Sequence, residues 1–121
     1  MAGPEQMVQR LYNIAMELSA QNKFIVTLGG EHTITLGIVR ALAERFKHLS
    51  VLQLDAHADL RDEYQGTKYS HACVMRRVLE ITDRIAQVGI RSFSRDDFEA
   101  RPERVADFIT PRMVADNLSL I

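Results

Sequence analysis

Helical and extended hydrophobic patterns alternate along this chain. From Pro4 onward, Val8, Leu11, Tyr12, Ala15 and Leu18 recur at three- and four-residue spacing, one stripe of an amphipathic helix. Pro4 and Glu5 suit its first turn, and Asn22 marks its stop. The run Phe24 to Leu28 is too short for a helix and halts at Gly29-Gly30, which predicts a strand and a tight turn. Ile34, Ile38, Leu42 and Phe46 then recur every fourth residue, predicting a second helix from Thr33 to about Lys47. "SVLQLDA" is the next strand. "SHACVMRRVLEITDR" predicts a third helix, with Val74, Val78 and Ile81 on its buried face and Arg76 and Arg77 outside. "IAQVGIRS" supplies a further strand, Ile85 to Ile90. One more helix is expected before Thr110 and a break at Pro111, and the final stretch has no assignable pattern.

This alternation predicts an α/β fold in which helices cover both faces of a parallel sheet. In open α/β sheets, ligands bind beyond the carboxyl ends of the strands. The first two predicted strands end in "GGEH" and "DAHAD", and the third ends in "RS". Polar clusters from separate strands are therefore expected at one edge.

Composition narrows the partners. The chain has 121 residues, the size of one domain. Fifteen basic and sixteen acidic side chains leave a net charge of −1, so there is no electrostatic reason to expect nucleic acid or an anionic membrane surface. No apolar run approaches the roughly 20 residues that span a bilayer. The first residues lack the pattern of a signal peptide. The single cysteine, Cys73, excludes an internal disulfide framework and reads as a buried filler. A soluble cytoplasmic protein is the expectation.

The candidate chemistry lies in Asp55, His57 and Asp59. In a continuing strand Asp55 and Asp59 would stand about 13 Å apart, an awkward span for one ion with bonds near ~2.1 Å. If the strand ends near Asp55 and the chain curls back, the three side chains converge. Mixed carboxylate and imidazole donors suit Mn²⁺, Zn²⁺ or Fe²⁺. Singly, each residue reads as a helix cap or a solvated loop group. With His32 delivered from the neighbouring cluster, the set favours a two-metal site in which one carboxylate bridges ions about 3.5–4 Å apart.

"GGEHTITLG", "LQLDAHADLRDEY" and "YSHACVMRR" resemble successive motifs of the ureohydrolase family of arginases and agmatinases, with agmatinase-type wording. The resemblance covers roughly residues 24 to 94. It implies an arginase-like three-layer α/β/α fold with a binuclear Mn²⁺ centre that hydrolyses a small guanidino compound to urea and an amine. Agmatine is the first substrate expected, with arginine or guanidinobutyrate as alternatives, and polyamine biosynthesis is the implied setting. By motif, His32 resembles a ligand of one manganese and Asp55 the bridging carboxylate. His57 then resembles a ligand of the second ion, and Asp59 a ligand of the first. His71 resembles the proton-transfer histidine. Homo-oligomeric assembly is implied for complete family members. The chemistry agrees: a guanidinium is a poor electrophile, so water must be deprotonated near neutral pH, which bridging metal charge favours. The departing amine needs a proton, which a histidine can carry.

The family's later Asp-x-Asp motif and the glutamate that follows it are not found, so residues 1–121 read as the first part of a ureohydrolase domain. A competing reading is a non-catalytic metal-binding or interaction module whose sheet edge pairs with another subunit. Glu31 is expected either to anchor a metal ligand or to complement a helix start. Asp62, Glu63 and Tyr64 read as a solvated acidic loop. With four ligands for two ions, the purified chain should bind Mn²⁺ weakly and release little urea. Metal titration and a urea assay check this, and robust turnover refutes it.

Overall fold

The computed structural model describes residues 3–100 together with Ile109 and Arg112. Helix α1, Pro4–Ser19, opens with its proline at the first helical position and Glu5 in the first turn, where a missing N–H and a negative charge are both favourable. Its predicted stripe is the packed one: Val8 and Ala15 are buried and Leu11 and Tyr12 half-buried, while Leu18 lies nearer solvent. Asn22 follows in a left-handed conformation (φ 54°), which asparagine tolerates better than most residues.

Helix α2, Ile34–Arg45, packs closely along α1. The approach depends on Gly37. A Cβ there would run into the carbonyl oxygen of Val8 and lie 3.0 Å from Leu11 Cβ. Gly29 is not left-handed, and a Cβ on it would meet only the tip of the Ile34 side chain, which can turn aside.

Strands β1, Val51–Leu54, and β2, Ile85–Val88, pair in parallel with Val51 opposite Ile85 and Leu54 opposite Val88. A one-turn 3-10 helix, His71–Cys73, leads into α3, Val74–Leu79, which lies in the crossover between the two strands. On the other side of β2, Ile109 donates to the Gln87 carbonyl at 3.0 Å and accepts from Gly89 N–H at 2.7 Å, adding one more parallel position. Helix α4, Arg95–Ala100, begins the helix expected before Thr110, and the rest of that prediction and the Pro111 break lie outside the described residues.

The core joins Val8 of α1, Leu36 and Val39 of α2, Val74, Met75 and Val78 of α3, and Ile85 of β2. Burying each such side chain contributes about 1.5–3 kcal/mol. On the sheet, Gln53, Ile85 and Gln87 are buried, whereas Leu52 and Leu54 on the opposite face are exposed. No helix among the described residues is long and apolar enough to cross a membrane.

Two expectations are corrected. Phe24 to Leu28 forms no strand, and Phe24 and Leu28 are 95% and 92% exposed. Apolar character alone makes no ladder; a strand needs a hydrogen-bonding neighbour, and none of the described residues supplies one to this segment. Arg77, expected on an outer face, is buried. Its guanidinium pairs with Asp62 and, at 2.9 Å, with Glu80, so its stem packs inward while its charge is matched.

Gly37→Ala should destabilise the chain by about 1–3 kcal/mol through overpacking, despite the ~1 kcal/mol that alanine gains over glycine in helix propensity. Urea denaturation followed by circular dichroism checks the sign.

Candidate metal centre

The ladder between β1 and β2 ends one bond past Leu54, where Asp55 N–H donates to the Val88 carbonyl at 3.1 Å. The chain then turns. Asp55 Oδ1 accepts from the His57 N–H at 2.8 Å, an Asx-type turn. The Ala56 carbonyl accepts from both Arg91 and Ser92 N–H at 2.9 Å, and Asp59 is left-handed at φ 55°. Ala58 and Leu60 are buried and fasten the loop to the core, while Asp55, His57 and Asp59 face a common cavity. The Asp59 carbonyl accepts from Met75 and Arg76 N–H at the start of α3, at 3.0 and 3.2 Å.

Into this turn comes His32 from the segment before α2. Its Nδ1 lies 2.9 Å from Asp59 Oδ2 and 3.8 Å from Asp55 Oδ2. One donor atom each from His32, Asp55 and Asp59 falls within 4.8 Å of the others. Ligands at about 2.1 Å from an ion and at right angles stand ~3 Å apart, so an imidazole nitrogen and two carboxylates at these separations fit a divalent cation. His57 lies outside that trio, with Nδ1 3.4 Å from the other oxygen of Asp55, Oδ1. Each oxygen of Asp55 thus faces a different histidine. His71, at the head of the 3-10 turn, reaches Glu31 Oε1 at 3.5 Å and stands edge-on to Tyr64 with ring centroids 5.6 Å apart. Glu31 also accepts from Thr33 N–H at 3.1 Å, so it meets a site histidine and a helix start at once. All five predicted site residues line one open cavity of about 610 Å³ at the carboxyl ends of the strands. A larger hollow, about 1030 Å³, lies at the amino ends around Ser50, Val51 and Arg84, opposite to where ligands bind in open α/β sheets.

A profile described as the arginase family matches residues 1–118. The chain belongs to the arginase family. Among arginase-family relatives, the N(1)-aminopropylagmatine ureohydrolase of Synechocystis is 41% identical over 96 residues, 78% of this chain and 31% of the relative. A protein of the same name from Thermus thermophilus is 42% identical over 99 residues, 81% of this chain and 34% of the relative. The crystal structure of agmatine ureohydrolase from Thermoplasma volcanium superposes with TM-score 0.86 at 39% identity, covering 95% of this chain and 39% of that one. The chain therefore spans about a third of the length of these curated relatives and has the α/β arginase-like fold over that part.

The electrostatics of this arginase-family cluster follow from its hydrogen bonds. The Asp59 carboxylate beside His32 raises the imidazole above its ordinary pKa, against the effect of burial and with help from the charges of Asp59, Asp55 and Glu31. Burial works against the Asp55 carboxylate, but the amides of His57 and Ala56, the charge of His32 and a hydrogen bond from Gln53 outweigh it and hold its pKa low. The Arg77 hydrogen bond holds Asp62 low as well, an ion pair within a loop whose Asp62 and Glu63 are exposed, as expected. Cys73 is fully buried, and burial pushes its thiol up.

Sequence reasoning missed Asp97. This buried carboxylate accepts from Ser94 N–H and Oγ–H at 2.7 Å and from Leu60 N–H at 3.1 Å, tying α4 to the loop. The signal was present as Ser94-x-x-Asp97, a reciprocal capping pattern, since Ser94 Oγ accepts from Asp97 N–H at 3.1 Å. Arg61 lies over the Tyr64 ring, 5.1 Å from its centroid, a contact that sequence spacing does not reveal.

The sign of the pH dependence can be worked out for His32. Its folded pKa is raised above the ordinary 6.5. The stabilisation is therefore fully present below pH 6.5 and lost as pH rises through the higher folded value. In the chelator-treated chain, His32→Ala should cost about 1–1.5 kcal/mol at pH 5.5 and clearly less at pH 9. Urea denaturation at the two pH values measures the difference.

Proposed function

We propose that residues 1–121 form the first part of an agmatinase-like ureohydrolase domain. Its substrate would be a small guanidino compound, agmatine or a close relative such as N(1)-aminopropylagmatine, hydrolysed to urea and an amine. The observation that carries this reading is the cluster of His32, Asp55 and Asp59 at the carboxyl end of the sheet in a chain of the arginase family. The relatives named for aminopropylagmatine and agmatine support the substrate class.

His32, Asp55, His57 and Asp59 would hold two Mn²⁺ ions, with Asp55 presenting one oxygen toward each histidine. Bound there, the ions would supply the positive charge that makes water acidic enough to attack a guanidinium carbon near neutral pH. The chain's own groups do the rest. The Asp59–His32 contact aims the imidazole nitrogen into the cluster, and the hydrogen bond from the His57 amide to Asp55 keeps the turn closed. His71, oriented between the Glu31 carboxylate and the Tyr64 ring edge, is the group we assign to deliver a proton to the departing amine. Its side chain is 58% exposed, so it can exchange that proton with solvent between turnovers.

A graft tests this. Placed in the Thermoplasma volcanium agmatine ureohydrolase in place of the matching segment, the chain should support Mn²⁺-dependent urea release from agmatine. His71→Ala in the graft should lower kcat about 10²–10⁴-fold with metal retained. A folded, manganese-loaded graft that frees no urea from any guanidino compound offered would overturn the proposal.

A further inference from the structure

Two glutamines lie beneath the cluster, and beyond the help that Gln53 gives the Asp55 carboxylate they have no role above. Gln53 of β1 and Gln87 of β2 are register partners on the covered face of the sheet, 6% and 0% exposed. A buried amide in a sheet core is unfavourable unless its polar atoms are engaged. Here the engagement runs one way. Gln87 Nε2 donates to Gln53 Oε1 and to the Ala58 carbonyl, the latter at 2.8 Å. Gln53 Nε2 in turn donates to the His57 carbonyl at 3.2 Å and toward Asp59 Oδ2 at 3.5 Å.

The polarity is forced by the acceptors. The carbonyls of His57 and Ala58 and the Asp59 carboxylate have no proton to give, so both NH₂ groups must face the loop. Flipping either amide would set oxygen against oxygen. Gln87 Oε1 is buried and makes no hydrogen bond among the described residues, so the position keeps its donors at the expense of an unmatched acceptor. Three successive residues, His57, Ala58 and Asp59, are thereby held from below. The last is the left-handed Asp59, a conformation that aspartate tolerates better than most L residues but still at some cost, which the bonds from below help to meet.

We propose that Gln53 and Gln87 are positioning residues: a buried amide relay that fixes the backbone of His57–Asp59 and aims the Asp59 carboxylate at His32. The consequence for metal affinity rests on the metal-centre reading, whereas the conformational role does not.

The test uses the full chain and two readouts. Gln53→Met and Gln87→Met keep side-chain length and remove the donors. In the chelator-treated chain, the Asp59 ¹³Cα and ¹³Cβ shifts should leave their left-handed values in either variant. Mn²⁺ affinity, followed by electron paramagnetic resonance, should fall about 10–100-fold. Gly37→Ala, whose added methyl meets Val8, Leu11 and Tyr12 of α1 rather than the loop, should lower the urea midpoint yet leave both readouts unchanged. If a methionine variant fails to fold, Gln53→Asn and Gln87→Asn, which keep the amide but shorten its reach, are read by the same measurements with the same expectation. Folded variants with unchanged Asp59 shifts and unchanged Mn²⁺ affinity overturn the relay. A parent chain that binds no Mn²⁺, in variants of which the Asp59 shifts still move, sinks the metal centre and leaves the relay standing.

Discussion

The structure depends on where a parallel ladder stops. Four residue pairs join β1 to β2, and one further bond carries the pairing to Asp55. Beyond it the regular ladder gives way to a single parallel bridge between His57 and Ser92, and the chain must still satisfy its buried backbone groups. The Asx turn at Asp55, the double acceptance by the Ala56 carbonyl and the left-handed Asp59 are the means. Alternate side chains divide between two destinations, Ala58 and Leu60 into the core and Asp55, His57 and Asp59 into the cavity. The same short turn thus packs the core and gathers the polar groups of the cavity.

The carboxylates in the cavity favour a proton on His32. His32 sits among Asp59, Asp55 and Glu31, and the resulting attraction outweighs the desolvation that would strip its charge. Proton and divalent ion compete for one nitrogen. The same carboxylates that raise the affinity of His32 for a proton would raise the affinity of the cluster for a metal, so the pocket is preorganised for positive charge whichever form it takes. The supporting groups come from three other places in the chain: Ser92 beside the turn, the start of α3 and the capped α4.

Much of this was legible in the residues. Stripes at helical spacing placed α1 and α2, and apolar runs of strand length placed β1 and β2, because those patterns record burial directly. Asp55, His57, Asp59, His32 and His71 stood out because their types are costly to cluster without a ligand. Less legible was anything set by a distant partner. Phe24 to Leu28 has the composition of a strand, but hydrogen-bonding neighbours cannot be read from composition. Arg77 looked like an outward cation because Asp62, fifteen residues back, gave no sign that it would neutralise it. Gln53 and Gln87 read as ordinary strand positions until the register set them side by side.

The lone thiol of Cys73 carries a practical consequence. It sits with no solvent exposure at the end of the 3-10 turn that bears His71, and burial keeps it protonated. Alkylating reagents attack thiolates, so the closed state resists them. The rate at which an added maleimide labels the chain therefore counts the excursions in which that turn lifts away from its bed. The molecule carries its own clock for the motion of the corner that bears His71.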